Sequence, residues 1–300
     1  GEEGQQGARD RHGAHHAQDN GSRNSPFARR EAAATLRHDA RQGTMMAETS
    51  GEVAWARLTA AEIQARATPA TVAIIPVASI EQHGPHLATG VDMWLATEVA
   101  ERTARKLKAA GTEAVVTPCI WTGLAEHHMA FGGTLTLDEA TFAATVGGIA
   151  RSVARHGFGR IALLNGHGGN IEAIASAAIV LTRSLGVPVV GATYWTASAD
   201  LFGAILEAQE NVLHACEAET SMVMAIQPGC VRGGNIARAV PARAAPPVPP
   251  GFKRQRSFAE MTDTGVLGDP RSASPGKGEA LFEAAATRLS EELARPELWA

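Results

Sequence analysis

The sequence predicts an α/β fold, a mostly parallel sheet with helices on both faces. Three observations predict it. Short apolar runs alternate with long segments of helical period, the signature of βαβ units. The run at residues 71–77 is apolar almost throughout and reads as a buried strand. Two of the runs exit into polar, glycine-bearing loops, and ligand sites of such sheets lie beyond the carboxyl ends of the strands.

Each element has its own signal. Leu58-Thr59 ahead of Ala60-Ala61-Glu62 marks a short helix capped by Thr59. Residues 71–77 form the first strand. From Asp92 to about Ala109, Leu95, Val99 and Leu107 share one helical face with several alanines. Residues 114–118 read as a second short strand. Residues 137–156 read as an amphipathic helix with Thr136 or Asp138 near its start. The strand at 160–164 leads through Asn165-Gly166-His167-Gly168-Gly169-Asn170 into a helix over about 170–185. Residues 188–194 form a fourth strand. Residues 213–226 are helical at least in part. After Gly229 the chain turns proline-rich (Pro241, Pro246, Pro247, Pro249, Pro250) and reads as a meandering loop, before a last helix over about 277–293.

The chain has 300 residues, of which 45% are hydrophobic, enough for a sizeable core. Residues 1–50 carry no apolar period and read as a solvated tail, with residues 51–300 as a single domain. His12, His15 and His16 in that tail bind metal at most nonspecifically. Met45-Met46 stands where the ordered pattern begins, so the tail is expected to be upstream read-through or an expression artefact. A formal net charge of −4 gives no general pull toward nucleic acid or anionic membrane. No run approaches the roughly 20 apolar residues of a membrane span, and no basic segment followed by an apolar one stands at the start of the sequence. Cys119, Cys216 and Cys230 are scattered and suit a reducing compartment. The expected location is the cytoplasm.

The chemistry concentrates at the strand exits. Glu81 and His83 are two residues apart, so in extended chain they face one way. Gly84-Pro85 then turns the chain and can bring Asp92 back toward them. Carboxylate and neutral imidazole suit zinc or manganese, although Asp92 also stands where a helix cap would. His167 lies among glycines that leave room for a ligand. Its loop lacks both the GxGxxG order and the lysine of a phosphate loop. In His214-Ala215-Cys216-Glu217-Ala218-Glu219, His214 and Glu219 can reach the site and Glu217 competes with Glu219. Cys216 lacks a base and reads as a buried thiol. The loop Glu126-His127-His128 can bind polar substrate, and Trp121, Tyr194 and Trp195 are candidate pocket walls.

Over about residues 71–290 the chain resembles the creatininase (creatinine amidohydrolase) family. The resemblance rests on Ile-Pro-Val-Ala-Ser-Ile-Glu-Gln-His-Gly-Pro-His-Leu with Asp92, on residues 123–134, on Asn-Gly-His-Gly-Gly-Asn, on residues 214–221 and on Thr264-Gly265-Val266-Leu267-Gly268-Asp269-Pro270. It implies a three-layer α/β/α fold, a two-metal site, homo-oligomers that are often hexamers, and hydrolysis of C–N bonds in small cyclic or linear amides. By the resemblance, Glu81, Asp92 and His167 hold one divalent ion, while His83 and Asp92 hold a second, with Asp92 bridging. Zinc is expected and manganese is the alternative. The family's last ligand, a Glu two residues beyond the loop histidine, is Gly169 here, and Glu219 is the expected replacement. The family's Phe-Pro-Gly-Thr is Phe131-Gly132-Gly133-Thr134 here. His214 matches the family's catalytic histidine, and Glu126 or Glu219 is a further candidate to move the proton to the departing nitrogen.

The expected reaction is metal-assisted amide hydrolysis. The loss of the Glu at position 169 turns attention from creatinine toward a formamide, as in a deformylase, or toward a peptide; a cyclic ketone of sugar or inositol breakdown is a further substrate. From other classes, the alternatives are a metal-stabilised binding protein without activity and a nucleotide-binding domain using Gly168-Gly169.

Overall fold

Ile74 and Ile75 are neighbours in the chain yet belong to different cores, and that division sets the architecture. The computed structural model describes residues 51–239, 248–252 and 254–300. The expectations for residues 1–50, including His12, His15, His16 and Met45-Met46, and for Pro241, Pro246 and Pro247, lie outside the described residues.

Strands β1 (Val72–Val77), β2 (Ala114–Val116), β3 (Arg160–Asn165) and β4 (Val189–Thr193) form one parallel sheet in the order β2-β1-β3-β4. Val72 pairs with Ala114 on one side and with Arg160 on the other. Alternate side chains of a strand point to opposite faces. Val72, Ile74, Ala162 and Leu164 therefore pack on one side, against helices α2 (Val91–Ala109), α5 (Glu217–Ile226) and α6 (Pro275–Ala294). Ala73, Ile75, Val77, Ile161 and Leu163 pack on the other, against α3 (Glu139–Arg155) and α4 (Ile171–Leu185). The result is a mixed α/β, three-layer arrangement around a parallel sheet, as the sequence predicts.

The ends of the elements follow their local chemistry. Helix α1 (Ala60–Arg66) starts in a reciprocal capping box between Thr59 and Glu62. Asp138, not Thr136, caps α3 by accepting from Thr141 N. Gly186, at φ +67°, ends α4 in the left-handed conformation. Strand β2 stops two residues short of the predicted end, before Pro118, which has no N–H for the ladder. Residues 213–216 do not join α5. Ala215 is left-handed at φ 55° and Cys216 is extended, so the helix starts only at Glu217. Among the described residues, no helix is long and apolar enough to cross a membrane.

Candidate metal centre

Two loops at the carboxyl end of the sheet begin the site, and helices α2 and α5 complete it with Asp92 and Glu219. Val77 and Asn165 are paired at the ends of β1 and β3, so the segments that follow leave side by side. Asn165 reinforces its loop: Oδ1 accepts from His167 N at 3.1 Å, and Nδ2 donates to His167 O at 2.8 Å. Asn170 ties the same loop to its neighbours, accepting from Leu124 N at 2.9 Å and donating to Ala78 O at 3.1 Å. The predicted cap role of Asp92 is not realised. Gly90 occupies the N-cap position of α2, and Asp92 sits in the first turn without a capping bond.

The freed Asp92 carboxylate stands between two imidazoles. Its Oδ1 is 3.1 Å from His83 Nε2 and its Oδ2 is 3.1 Å from His167 Nδ1. Glu81 Oε2 is 2.8 Å from His167 Nδ1, and Glu219 Oε1 is 3.8 Å from His83 Nε2. Ligand atoms of Glu81, Asp92 and His167 fall within 4.8 Å of one another, and so do those of His83, Asp92 and Glu219. The two triads share Asp92. All five residues are buried.

Several features fit this donor set to divalent cations. Despite their short contacts, Glu81 Oε2 and His83 Nε2 are buried without an aligned hydrogen-bond partner, so lone pairs converge where a bond would need a proton. The other ring nitrogen of each histidine meets a backbone carbonyl: His83 Nδ1 lies 3.1 Å from Glu81 O and His167 Nε2 lies 3.1 Å from Leu124 O. A carbonyl only accepts, so each of these nitrogens carries a proton. In a neutral ring the site-facing nitrogen is then free for a metal, and in a charged ring it donates, as His167 Nδ1 does to Asp92 Oδ2 at 3.1 Å. Such outer partners orient metal-binding imidazoles. Three buried carboxylates also require compensating positive charge.

Without a cation, the imidazoles supply that charge. Burial alone would lower both of their pKa values. Asp92 and Glu219 outweigh it and hold His83 well above its usual range, and Glu81 and Asp92 raise His167 to about 10. Burial pushes Asp92 up, but His83 and His167 bring it below the usual carboxylate range. Burial dominates at Glu81 and raises it.

His214 enters from the segment ahead of α5. Its Nε2 donates to Gln82 O at 2.7 Å, and its Nδ1 lies 3.4 Å from Glu81 Oε1. Burial and the neighbouring histidines keep its ring neutral, well below the usual imidazole range. A cavity of about 260 Å³ connects the groups; its walls include His127, His128, His214, Trp195 and Phe258.

Some candidates fall elsewhere. Glu126 is exposed and is not among the residues lining the cavity. It opens the 3₁₀ turn Glu126–His128, in which successive side chains point about a third of a turn apart. His128 therefore turns inward and Glu126 outward. Glu217 is fully buried but accepts from Glu207 N at 3.0 Å and Ala208 N at 2.7 Å and pairs with Lys277, so it serves the fold. Of the three candidate aromatic walls, only Trp195 lines the cavity; Tyr194 lies in the core and Trp121 is 48% exposed. Cys216 is buried and its thiol is pushed up to about 12 by burial, which suits packing rather than attack.

Position 169 cannot carry a ligand on this backbone. A Cβ there would lie 2.2 Å from Leu124 O and 2.5 Å from His167 Nε2. Glu219 approaches instead from α5, and its Oε2 accepts from Ala215 N at 2.6 Å. The left-handed turn at Ala215 aims that N–H back at the carboxylate, a geometric demand invisible in the sequence.

The comparisons with known proteins agree with one another. The model of the family described as "Creatininase: Creatinine amidohydrolase" matches residues 56–293. A "Mycofactocin precursor peptide peptidase" of Mycolicibacterium smegmatis is 32% identical over 210 residues, spanning 70% of this chain and 78% of the relative. A "Creatinine amidohydrolase" of Pseudomonas putida is 30% identical over 266 residues, spanning 81% of this chain and 95% of the relative. The solved structure "Creatininase Mn" superposes with a TM-score of 0.69 at 29% identity, covering 80% of this chain and 97% of that one.

Proposed function

The chain belongs to the creatininase (creatinine amidohydrolase) family, and from that premise we propose that it hydrolyses a C–N amide bond with the help of two divalent cations. Glu81, Asp92 and His167 hold one ion. His83, Asp92 and Glu219 hold the other. The observation that carries the reading is the pair of buried triads sharing Asp92. Zinc suits the donors, and manganese suits them too, because imidazole and carboxylate accept both. Bound there, the ions supply Lewis-acid polarisation of the amide carbonyl and an acidified water.

The residues of the chain do the rest. His214 is oriented by Gln82 O and turns its Nδ1 lone pair to the site. That nitrogen takes a proton from the attacking water and passes it to the departing nitrogen, the step a poor leaving group requires. Phe258, Leu267 and Trp195 line the same cavity and exclude bulk water. Asp92→Ala is expected to remove metal and turnover together, read by elemental analysis and an amide-hydrolysis assay. Full metal content with unchanged turnover in that variant would overturn the reading.

A peptide substrate is the second reading, and a specific observation favours it over a creatinine-sized ring. A groove of about 1270 Å³ shares His127 and Gly168 with the metal cavity and runs between α3 and α4 past Arg151, Phe252 and Arg254. An extended chain entering the site would lie there. The Mycolicibacterium relative carries the name of a peptidase, which accords with this. A panel of creatinine, formamides and short peptides given to metal-loaded protein separates the possibilities. Turnover of creatinine alone would exclude the peptide reading.

A further inference from the structure

Gln82 stands between Glu81 and His83 and touches two further histidines. The orientation of its amide is fixed by backbone groups. Gly84 N donates to Oε1 at 2.9 Å, so that atom is the acceptor. Gly265 O lies 3.0 Å from Nε2 and can only accept, so Nε2 is the donor. An amide nitrogen has two hydrogens. One goes to Gly265 O; the other points at His128 Nδ1, 3.0 Å away. His214 Nε2 also lies 3.0 Å from Gln82 Nε2, but its proton is already given to Gln82 O at 2.7 Å. Two donors face each other there, and no bond forms between them. His128 Nδ1 is therefore an acceptor, and in a neutral ring the proton sits on Nε2. That nitrogen is 3.2 Å from Glu81 Oε1.

The contrast with His83 and His167 is chemical. Each of those has a ring proton fixed on a backbone carbonyl, so that with a cation bound it is the inward nitrogen that is bare. His128 gives its bare nitrogen to Gln82 and turns an N–H inward. We propose that Gln82 is a positioning residue that keeps His128 out of the metal set and holds it as a neutral N–H donor facing Glu81. With Oε1 of Glu81 facing that donor, its second oxygen, Oε2, which is buried 2.8 Å from His167 Nδ1 without an aligned hydrogen bond, is the one left for a cation. His127, His128 and His167 also bring ring nitrogens within 4.8 Å of one another. The donor at Gln82 tells which cluster binds: a ring that must accept at Nδ1 cannot also offer Nε2 to a metal.

Two-bond ¹H–¹⁵N correlation spectra of the full chain, zinc-loaded and ¹⁵N-labelled at its 11 histidines, test this. His128 is assigned by the resonances lost in His128→Asn. Its ring is expected to show a protonated Nε2 and a bare Nδ1. In Gln82→Glu the side chain no longer donates, so His128 is expected to gain a proton on Nδ1, while His214, held by a backbone carbonyl, keeps its pattern. A wild-type His128 that is protonated at Nδ1, doubly protonated, or metal-shifted would overturn the proposal, and this spectrum decides even where Gln82→Glu fails to fold. An unchanged His128 in a folded Gln82→Glu would overturn it equally. The kinetic arm rests on the hydrolase reading: kcat is expected to fall at least tenfold with KM within twofold. If no amide is turned over at all, the hydrolase reading fails while the nitrogen pattern still decides this one.

Discussion

Single residues decide how this site can be completed. Gly169 is closed to any side chain because the obstructing atoms are the Leu124 carbonyl and the His167 ring, and backbone cannot swing aside. Gly169→Ala is expected to cost about 1–3 kcal/mol, the usual range for overpacking a dense region, measured by urea denaturation of the metal-free chain. Gly169→Glu is expected not to provide a sixth ligand. Glu219 carries the opposite expectation. Glu219→Gln keeps an oxygen for Ala215 N but loses the charge facing His83. The bound metal is expected to fall from two equivalents toward one, with affinity lowered by at least the roughly 10–100-fold that loss of an outer-shell partner costs. Unchanged stoichiometry by elemental analysis would remove Glu219 from the proposed ligands.

At the level of elements, the site depends on helices that approach closely. Helix α6 crosses α5 at Gly278, where a Cβ would meet Ser221 O at 2.0 Å. Ser221 Oγ also accepts from Ser274 N at 3.1 Å, and Ser274 caps α6 by accepting from Lys277 N. Lys277 then neutralises the buried Glu217. The crossing thus fixes the helix that carries Glu219. Gly278→Ala is expected to destabilise the fold by about 1–3 kcal/mol and to weaken metal binding although position 278 touches no ligand; calorimetric titration with zinc checks the second effect. Helix α1 serves as the control. Thr59→Ala removes one arm of its capping box, at a cost of about 1 kcal/mol, and is expected to leave metal affinity unchanged.

For the whole molecule, stability is expected to respond to metal and to acid. Ions that bind only the folded chain stabilise it by mass action, so chelation is expected to lower the melting temperature. His86 sets an acid limit. It is buried against Thr220, and burial, then the charge of His83, holds it down to about 4. A histidine depressed in the folded state contributes stability that is present above its unfolded pKa near 6.5 and is lost as pH falls toward 4, because the unfolded chain binds the proton first. The loss reaches about 3 kcal/mol at roughly 1.36 kcal/mol per unit, and His86→Asn is expected to flatten that limb of a stability–pH curve. The sequence by itself determined the α/β class, the four strands and the gathering of Glu81, His83, Asp92 and His167 at one sheet edge. Apolar runs, helical period and strand exits are local patterns, and a parallel sheet aligns its strand ends. Only the tertiary structure decided that Glu219 rather than Glu217 faces His83, that His128 enters while Glu126 stays outside, and that Trp195 rather than Trp121 walls the cavity. Each of those choices depends on where a side chain points after a backbone turn, as at Ala215 or in the 3₁₀ turn at 126–128, and residue type and spacing do not record that direction.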